Sequence, residues 1–198
     1  MSETQWLLIL VAMAYLLGSL SSAILFARLF KLPDPRLHGS GNPGATNMLR
    51  VAGRKVAGLT LLGDGLKGVP PVLLALWVEL ADWGLALVAL SALLGHIYPL
   101  FFGFKGGKGV ATALGVTLAA WWPVGLFIAG LWLLMAVLVR ISSISALTAF
   151  LGAPFFAFLY FSSPVPAITL SGFFVLLVWR HRKNISNLIK ATEDKIKT

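Results

Sequence analysis

Apolar segments occupy most of this 198-residue chain, and they constrain its fold more than any other feature. We count about seven, and a segment of about 20 apolar residues is long enough to cross a bilayer as a helix. Six of them have the approximate bounds 6–26, 56–80, 83–104, 110–120, 144–161 and 165–179. The remaining segment, fifth along the chain, follows Trp121-Trp122-Pro123 and ends at Val139. The sequence therefore predicts an all-α, polytopic membrane protein in which residues 1–198 form a single domain.

The basic residues predict how this protein is oriented. Of the 16 Lys and Arg residues, all except Lys67 lie in alternate loops or in the tail from Arg180 to Lys197. By the positive-inside rule, the N-terminus is outside the cell and the C-terminus is cytoplasmic, which requires an odd number of spans. Seven spans fit. Five also fit if the two segments between Val110 and Val139 and one neighbour are merged or re-entrant.

Composition excludes several classes of function. Apolar residues make up 58% of the chain and charged residues 12%, which is outside the range of a soluble domain. The absence of cysteine excludes disulfides, thiolate metal sites and cysteine nucleophiles. The net charge of +9 resides in short loops between apolar segments, so topology and anionic headgroups explain it better than nucleic acid does. The first apolar segment lacks a basic n-region and is expected to be a retained span.

A polar stretch, Gly39-Ser40-Gly41-Asn42-Pro43-Gly44-Ala45-Thr46-Asn47-Met48-Leu49-Arg50, interrupts the apolar pattern. Its glycines allow the backbone N–H groups to converge on an anion, and its hydroxyl and amide side chains add donors. Arg50 can bind phosphate in a bidentate manner. The stretch predicts a cytoplasmic anion-binding loop, whereas the alternative is an ordinary connecting loop.

Two further motifs lie on the same predicted side of the membrane. Asp64 and Lys67, beside Gly68, are ionisable residues in an apolar segment; they form either a structural pair or a direct ligand contact. The stretch Gly103-Phe104-Lys105-Gly106-Gly107-Lys108-Gly109 suits a phosphate cradle before a helix but lacks the spacing of a Walker A loop. Three such motifs at one face indicate a phosphorylated substrate.

Two of the three histidines lie near these motifs. His96 is near the cytoplasmic end of the third segment, and His181 lies where the seventh segment ends, three residues before Asn184. Each is either a base, a hydrogen-bonding orienter or an interfacial residue without chemistry. His38 is expected to be solvated. The histidines lack metal-ligand spacing, so no metal site is predicted.

Anion-binding groups, hydroxyls and histidines with few acids suit acyl transfer to a phosphorylated alcohol. An acyltransferase of the soluble type would show His-x-x-x-x-Asp, but Pro43, Phe101 and Ser186 stand at those positions. A CDP-alcohol phosphotransferase would need clustered aspartates for metal. An organic-phosphate membrane transporter is the main alternative, although no internal repeat is apparent. A non-catalytic scaffold would not need these loops.

The motifs resemble those of a known family, the bacterial integral-membrane acyl-phosphate:glycerol-3-phosphate acyltransferases (the PlsY family). The matching residues are the stretch from Gly39 to Arg50, Asp64-Gly65-Leu66-Lys67-Gly68, the stretch from Gly95 to Thr112, and His181-Arg182-Lys183-Asn184-Ile185. The distal motif departs from the family pattern, since Asn187 replaces an arginine and Ala191 a glycine, while Glu193 is retained.

The resemblance implies a reaction and its setting. A fatty acyl group moves from acyl phosphate to the 1-hydroxyl of glycerol 3-phosphate, giving lysophosphatidic acid and phosphate in the first acylation of bacterial phospholipid synthesis. It implies seven helices in the cytoplasmic (inner) membrane, an active site facing the cytoplasm and no cofactor. The implied partners are the two substrates, membrane lipid and the soluble enzyme that forms acyl phosphate, but no nucleic acid.

Residues that match the motifs are expected to have two kinds of role. The expected catalytic residues are Ser40, Arg50, Lys108, His181 and Asn184. The expected substrate-binding residues are Gly39, Gly41, Asn42, Gly44, Thr46, Asn47, Asp64, Lys67, Gly68, His96, Lys105, Gly106, Gly107, Ser142 and Ser143. Either His181 or the phosphate of the substrate takes the hydroxyl proton.

Overall fold

The computed structural model describes residues 1–196, which are helical with connecting turns and contain no β-strand. Lys197, one of the basic residues used to predict orientation, lies outside the described residues. The chain divides into two compact units, Met1–Ala120 and Trp121–Thr198, and each is described by itself. The expectation of a single domain therefore stays a prediction.

The first unit contains six α-helices and a short 3-10 helix. They are α1 (Glu3–Gly18), α2 (Ser22–Leu29), α3 (Ala45–Leu66), α4 (Val69–Trp77), α5 (Asp82–Ile97), the 3-10 helix Leu100–Phe102 and α6 (Val110–Ala120). The second unit contains α7 (Trp122–Leu138), α8 (Ser142–Tyr160), α9 (Val165–Arg180) and α10 (Arg182–Ile189). Helix α6 has the bounds predicted for the short fourth segment.

Several of these helices are suited to a membrane. Three helical stretches among the described residues are long and apolar enough to cross one: Ala45–Trp77, Asp82–Phe102 and Ser142–Tyr160. The bent pair α1 and α2 makes a fourth if it is one span, and α6, α7 and α9 are shorter apolar helices. The all-α prediction is confirmed for the described residues, and the count of seven spans stays a prediction.

The first predicted segment is not one continuous helix, which corrects the prediction from its length. It breaks between Gly18 and Ser22, and α1 and α2 are bent by 45°. The Ser19 hydroxyl donates to the Tyr15 carbonyl at 2.8 Å, a contact typical of a helix end. The break leaves the Leu20 carbonyl and the Ser22 N–H without helical partners. The carbonyl accepts from Lys67, the residue after α3, and the N–H donates to Asp64 in the last turn of α3.

Helix α3 begins 11 residues before the predicted segment, at Ala45 rather than at residue 56. The second half of the predicted loop is therefore the first turns of a helix. Met48 at its start is fully buried against Ala23 and Ala27 of α2, and this apolar contact favours a helix where the polar composition suggested a loop. The helix contains a kink at Gly53, where φ is 82°.

Glycines allow α1 and α5 to pack closely. A Cβ atom on Gly95 of α5 would overlap the Tyr15 carbonyl, and one on Gly18 of α1 would overlap the Ala92 carbonyl. The Ser91 hydroxyl of α5 also donates to the Val11 carbonyl of α1 at 2.8 Å. Small residues and interhelical hydrogen bonds are the usual stabilising contacts between membrane helices. This packing holds the C-terminal end of α5, which carries His96, against the α1–α2 break.

Candidate functional site

Asn47 shapes the first glycine-rich loop of the first unit. Its side chain is buried at the start of α3, and its Nδ2 donates to the carbonyls of Pro35 at 2.9 Å and His38 at 3.0 Å. Its Oδ1 accepts from the Ser40 N–H at 2.9 Å. Gly39 has a φ of 60°, and a Cβ there would overlap this Oδ1. The polar atoms of Asn47 are thus engaged within the loop, although the sequence suggested that they bind substrate.

Asp34 and Arg36 tie the start of this loop to the 3-10 helix. The Arg36 Nε and Nη2 atoms donate to the Asp34 carboxylate at 2.7–3.1 Å, and its Nη1 donates to the Phe102 carbonyl at 3.4 Å. Hydrogen bonding from Arg36 lowers the pKa of Asp34 below its usual value, so Asp34 is ionised at neutral pH. The guanidinium of Arg28 lies 5.7 Å from the centre of the Phe102 ring. The sequence did not predict these contacts between Asp34, Arg36 and Phe102.

Asp64 and Lys67 form a buried ion pair at the end of α3. Lys67 Nζ lies 3.1 Å from Asp64 Oδ1, and their side chains are 6% and 3% exposed. The Ser22 N–H donates to Asp64 Oδ1 at 3.3 Å, and the Thr112 hydroxyl of α6 donates to the Asp64 carbonyl at 2.8 Å. The ion pair of the first alternative is thus present, and a direct contact of these residues with a ligand stays a prediction. The pair connects α2, α3 and α6.

His96 lies beside this pair and contacts the second glycine-rich loop. Its Nδ1 atom is 2.8 Å from Lys67 Nζ. A Cβ on Gly107 would overlap His96 Nε2 and would lie 3.1 Å from the Pro43 carbonyl oxygen. A Cβ on Gly106 would overlap the His96 carbonyl and lie 2.6 Å from Pro99 Cδ. The two predicted anion-binding loops, one containing Pro43 and one containing Gly107, therefore meet around the imidazole of His96.

The other predicted residues of the first unit fall into three groups. Ser40, Gly41 and Lys105 are exposed in the two loops, and His38 is exposed, as predicted. Asn42, Gly44, Thr46, Arg50 and Lys108 are half-buried, and the last three of these make polar or ring contacts within the protein. Gly68 is buried, and a Cβ there would lie 2.6 Å from Val116 Cγ1 and 3.0 Å from Ala92 Cβ. Gly68 therefore allows close helix packing.

In the second unit, His181 is buried at the junction of α9 and α10. It is 2% exposed, and its Nδ1 lies 2.8 Å from the Leu177 carbonyl oxygen. Because a carbonyl oxygen only accepts, Nδ1 carries a proton. In the neutral imidazole the lone pair is then on Nε2, so Nε2 is the atom able to accept a proton.

Glu193 connects the tail to α8 and α10. Its Oε1 accepts from Ser143 Oγ at 2.9 Å and from Asn184 Nδ2 at 2.6 Å, and its Oε2 accepts from Asn187 Nδ2 at 3.3 Å. The Ile196 N–H also donates to the Arg140 carbonyl at 2.7 Å. Two residues predicted from the distal and serine motifs thus share one carboxylate. Glu193 was missed as a site residue because its partners are 50 and 9 residues away in sequence.

The predicted residues therefore form two clusters. The first unit holds the two loops, the Asp64–Lys67 pair and His96; the second holds His181, Asn184 and Ser143, with the half-buried Ser142 next to Ser143. The roles of these residues in substrate binding and catalysis stay predictions. Among residues 1–196, no group of three or more His, Asp or Glu side chains is placed to hold a metal ion.

Comparisons with known proteins match nearly the whole chain. The glycerol-3-phosphate acyltransferase family model matches residues 8–191. The glycerol-3-phosphate acyltransferase of Hydrogenovibrio crunogenus is 50% identical over 188 residues, covering 94% of this chain and 90% of that relative. That of Methylococcus capsulatus is 48% identical over 192 residues, covering 97% and 96%.

A solved structure has the same fold. It is the crystal structure of PlsY (YgiH), an integral membrane glycerol 3-phosphate acyltransferase, in its glycerol 3-phosphate form, with a TM-score of 0.92 and 41% identity over 97% of this chain and 96% of that one. The lysophosphatidic acid form of the same protein gives a TM-score of 0.89. The protein described here is an integral membrane member of the glycerol-3-phosphate acyltransferase family.

Proposed function

We propose that this protein transfers a fatty acyl group from acyl phosphate to the 1-hydroxyl of glycerol 3-phosphate. The products are 1-acyl-glycerol 3-phosphate (lysophosphatidic acid) and inorganic phosphate, and the reaction is the first acylation of bacterial phospholipid synthesis. The observation that carries the proposal is the meeting of two glycine-rich, basic loops around His96 in the first unit. Such loops suit a reaction in which both substrates carry phosphate.

The chemistry requires positioning and charge neutralisation more than a covalent nucleophile. Acyl phosphate is a mixed anhydride, so phosphate is a good leaving group. The hydroxyl oxygen of glycerol 3-phosphate attacks the acyl carbon, the bond from that carbon to the phosphate oxygen breaks, and phosphate leaves. Arg50 and Lys108 neutralise the two phosphate groups, which would otherwise repel each other. Backbone N–H groups of the glycine-rich loops add further donors.

The hydroxyl must lose its proton as the new bond forms. We assign this proton to His181 Nε2, because the contact of Nδ1 with the Leu177 carbonyl leaves the lone pair on Nε2. In the second unit, Glu193 accepts hydrogen bonds from Asn184 and Ser143. Of the predicted set, Ser40, Asn42 and Thr46 would contact phosphate from the first loop, and Lys105 from the second.

The proposed setting is the cytoplasmic membrane, with seven spans and the loops facing the cytoplasm. The support is the distribution of basic residues: Arg28, Arg36 and Lys55 precede or follow the first loop, and no Lys or Arg lies between Lys67 and Lys105. A cytoplasmic site would receive acyl phosphate from the soluble enzyme that makes it. The apolar helices would hold the fatty chain of the substrate in lipid.

Incubation of the purified protein with labelled glycerol 3-phosphate and either acyl phosphate or acyl-CoA tests the function. We expect lysophosphatidic acid with acyl phosphate only, and loss of transfer in Arg50→Ala and Lys108→Ala. Arg54→Ala, an exposed position on the same helix as Arg50, is the matched control and should retain transfer. Product from acyl-CoA would refute the proposed donor. Absence of product from both donors, with uptake of glycerol 3-phosphate into vesicles, would favour the transporter.

A further inference from the structure

Lys67 has no donor left for a substrate in this arrangement. Its Nζ contacts three groups: the Leu20 carbonyl at 2.7 Å, Asp64 Oδ1 at 3.1 Å and His96 Nδ1 at 2.8 Å. An ammonium group has three N–H donors and no lone pair, so these contacts use all of them. Its side chain is also 6% exposed. These observations favour a role for Lys67 that does not involve contact with phosphate.

The same contacts determine which nitrogen of His96 carries the proton. Because the ammonium of Lys67 only donates, Nδ1 of His96 must present its lone pair. A doubly protonated His96 would put a second cation beside Lys67 with only the Asp64 carboxylate to offset both. His96 is therefore the neutral tautomer with its proton on Nε2, the opposite of the tautomer required by the contact of His181.

The protonated nitrogen lies where the two glycine-rich loops meet. Gly106 packs against the His96 carbonyl, and Gly107 packs against Nε2 with the Pro43 carbonyl on the same side. The ring of His96 therefore connects a buried ion pair with the backbone at Gly107, which lies beside the Pro43 carbonyl. A change in the tautomer or tilt of this ring would change the donor presented to that backbone.

We propose that Lys67 and His96 are positioning residues: Lys67 fixes the Nε2–H tautomer of His96, and His96 sets the position of the Gly106–Gly107 backbone against Pro43. This inference rests on the proposed function, because it assumes that these loops bind glycerol 3-phosphate. Disturbing the pair should raise KM for glycerol 3-phosphate, whereas kcat should change little because neither residue touches the reacting atoms.

The tautomer of His96 can be measured by NMR without enzymatic turnover. With three histidines, two-bond proton–nitrogen correlation spectra of ¹⁵N-histidine protein resolve each ring. We expect His96 with its proton on Nε2 and His181 with its proton on Nδ1. The double variant Asp64→Asn with Lys67→Met removes both charges, so that no buried carboxylate is left unpaired, and should give His96 a mixture of tautomers. Lys55→Met, at an exposed position of the same helix, should leave the spectrum unchanged.

Two substitutions of His96 test whether it sets the position of the Gly106–Gly107 backbone. Gln places an amide N–H near the position of Nε2, while Asn reaches only the position of Nδ1. We expect His96→Gln to keep KM for glycerol 3-phosphate near the wild-type value and His96→Asn to raise it about tenfold, the loss expected for one hydrogen bond. A proton on Nδ1 of His96 in the wild type, or equal KM values for Gln and Asn, would overturn the proposal. Failure of acyl transfer from acyl phosphate would instead refute the proposed donor, because the spectra and the binding of glycerol 3-phosphate measured by calorimetry do not depend on it.

Discussion

The two polar clusters of this protein stabilise a carboxylate in different ways. In the first unit, Asp64 is paired with Lys67, and both side chains are almost completely buried. In the second unit, Glu193 is half-buried and binds the neutral donors Ser143, Asn184 and Asn187. Loss of one partner from a buried ion pair leaves an unpaired charge, whereas water can reach Glu193 if a neutral donor is lost. The first cluster should therefore tolerate substitution less well than the second.

The histidines of the two clusters also differ in their hydrogen-bond partners. His96 Nδ1 faces an ammonium donor, and His181 Nδ1 faces a carbonyl acceptor. The remaining nitrogen is consequently a donor in His96 and an acceptor in His181. Of the two, only His181 presents a ring nitrogen that can accept a proton. We therefore assign a positioning role to His96 and a chemical role to His181, although both are buried.

The largest expected effect separates these two histidines. His181→Asn retains an N–H near the Leu177 carbonyl but removes the acceptor at Nε2, so kcat should fall by about 10²–10⁴-fold, the range for loss of a general base. His96→Gln retains its distal N–H and should keep kcat within a few-fold of wild type. Steady-state kinetics with acyl phosphate measure both. Equal losses of kcat would remove the distinction, and a fully active His181→Asn would assign the proton to the phosphate of the substrate.

A smaller effect is expected at Glu193. Glu193→Ala removes the acceptor for Ser143, Asn184 and Asn187, and the free energy of unfolding should fall by about 2 kcal/mol because hydrogen bonds to a partly solvated charge are lost. Glu193→Gln keeps one acceptor oxygen and should cost less. Denaturant unfolding in detergent measures both, with Lys195→Ala at an exposed tail position as the control. Equal stability of Glu193→Ala and wild type would show that the tail contributes nothing to this cluster.

The sequence predicted the features that depend on local pattern. The lengths of the apolar segments predicted the helices, and glycines beside basic residues identified both glycine-rich loops. Both signals are contiguous in the chain. It did not predict the break at Ser19 to Ser22, because the partners of that break, Asp64 and Lys67, are more than 40 residues away. The contact of Glu193 with Ser143, 50 residues away, was missed for the same reason. The internal role of Asn47 was missed although its partners lie within 12 residues, because a polar side chain in such a motif resembles a ligand group.

The smallest expected effect concerns a departure from the family pattern in the second cluster. Ala191 stands where the family motif has glycine, and its φ of 54° lies in the left-handed region that favours glycine. Ala191→Gly should therefore raise the free energy of unfolding by about 0.5–1 kcal/mol, because it relieves this strain at the turn that precedes Glu193. Ala12→Gly, at an exposed position within α1, should lower stability by a similar amount, since glycine is unfavourable inside a helix. If the turn is strained, denaturant unfolding will show that the two substitutions change the free energy of unfolding in opposite directions. Destabilisation in both would mean that the turn holds alanine without cost and that the Glu193 contacts, rather than the backbone, fix the tail.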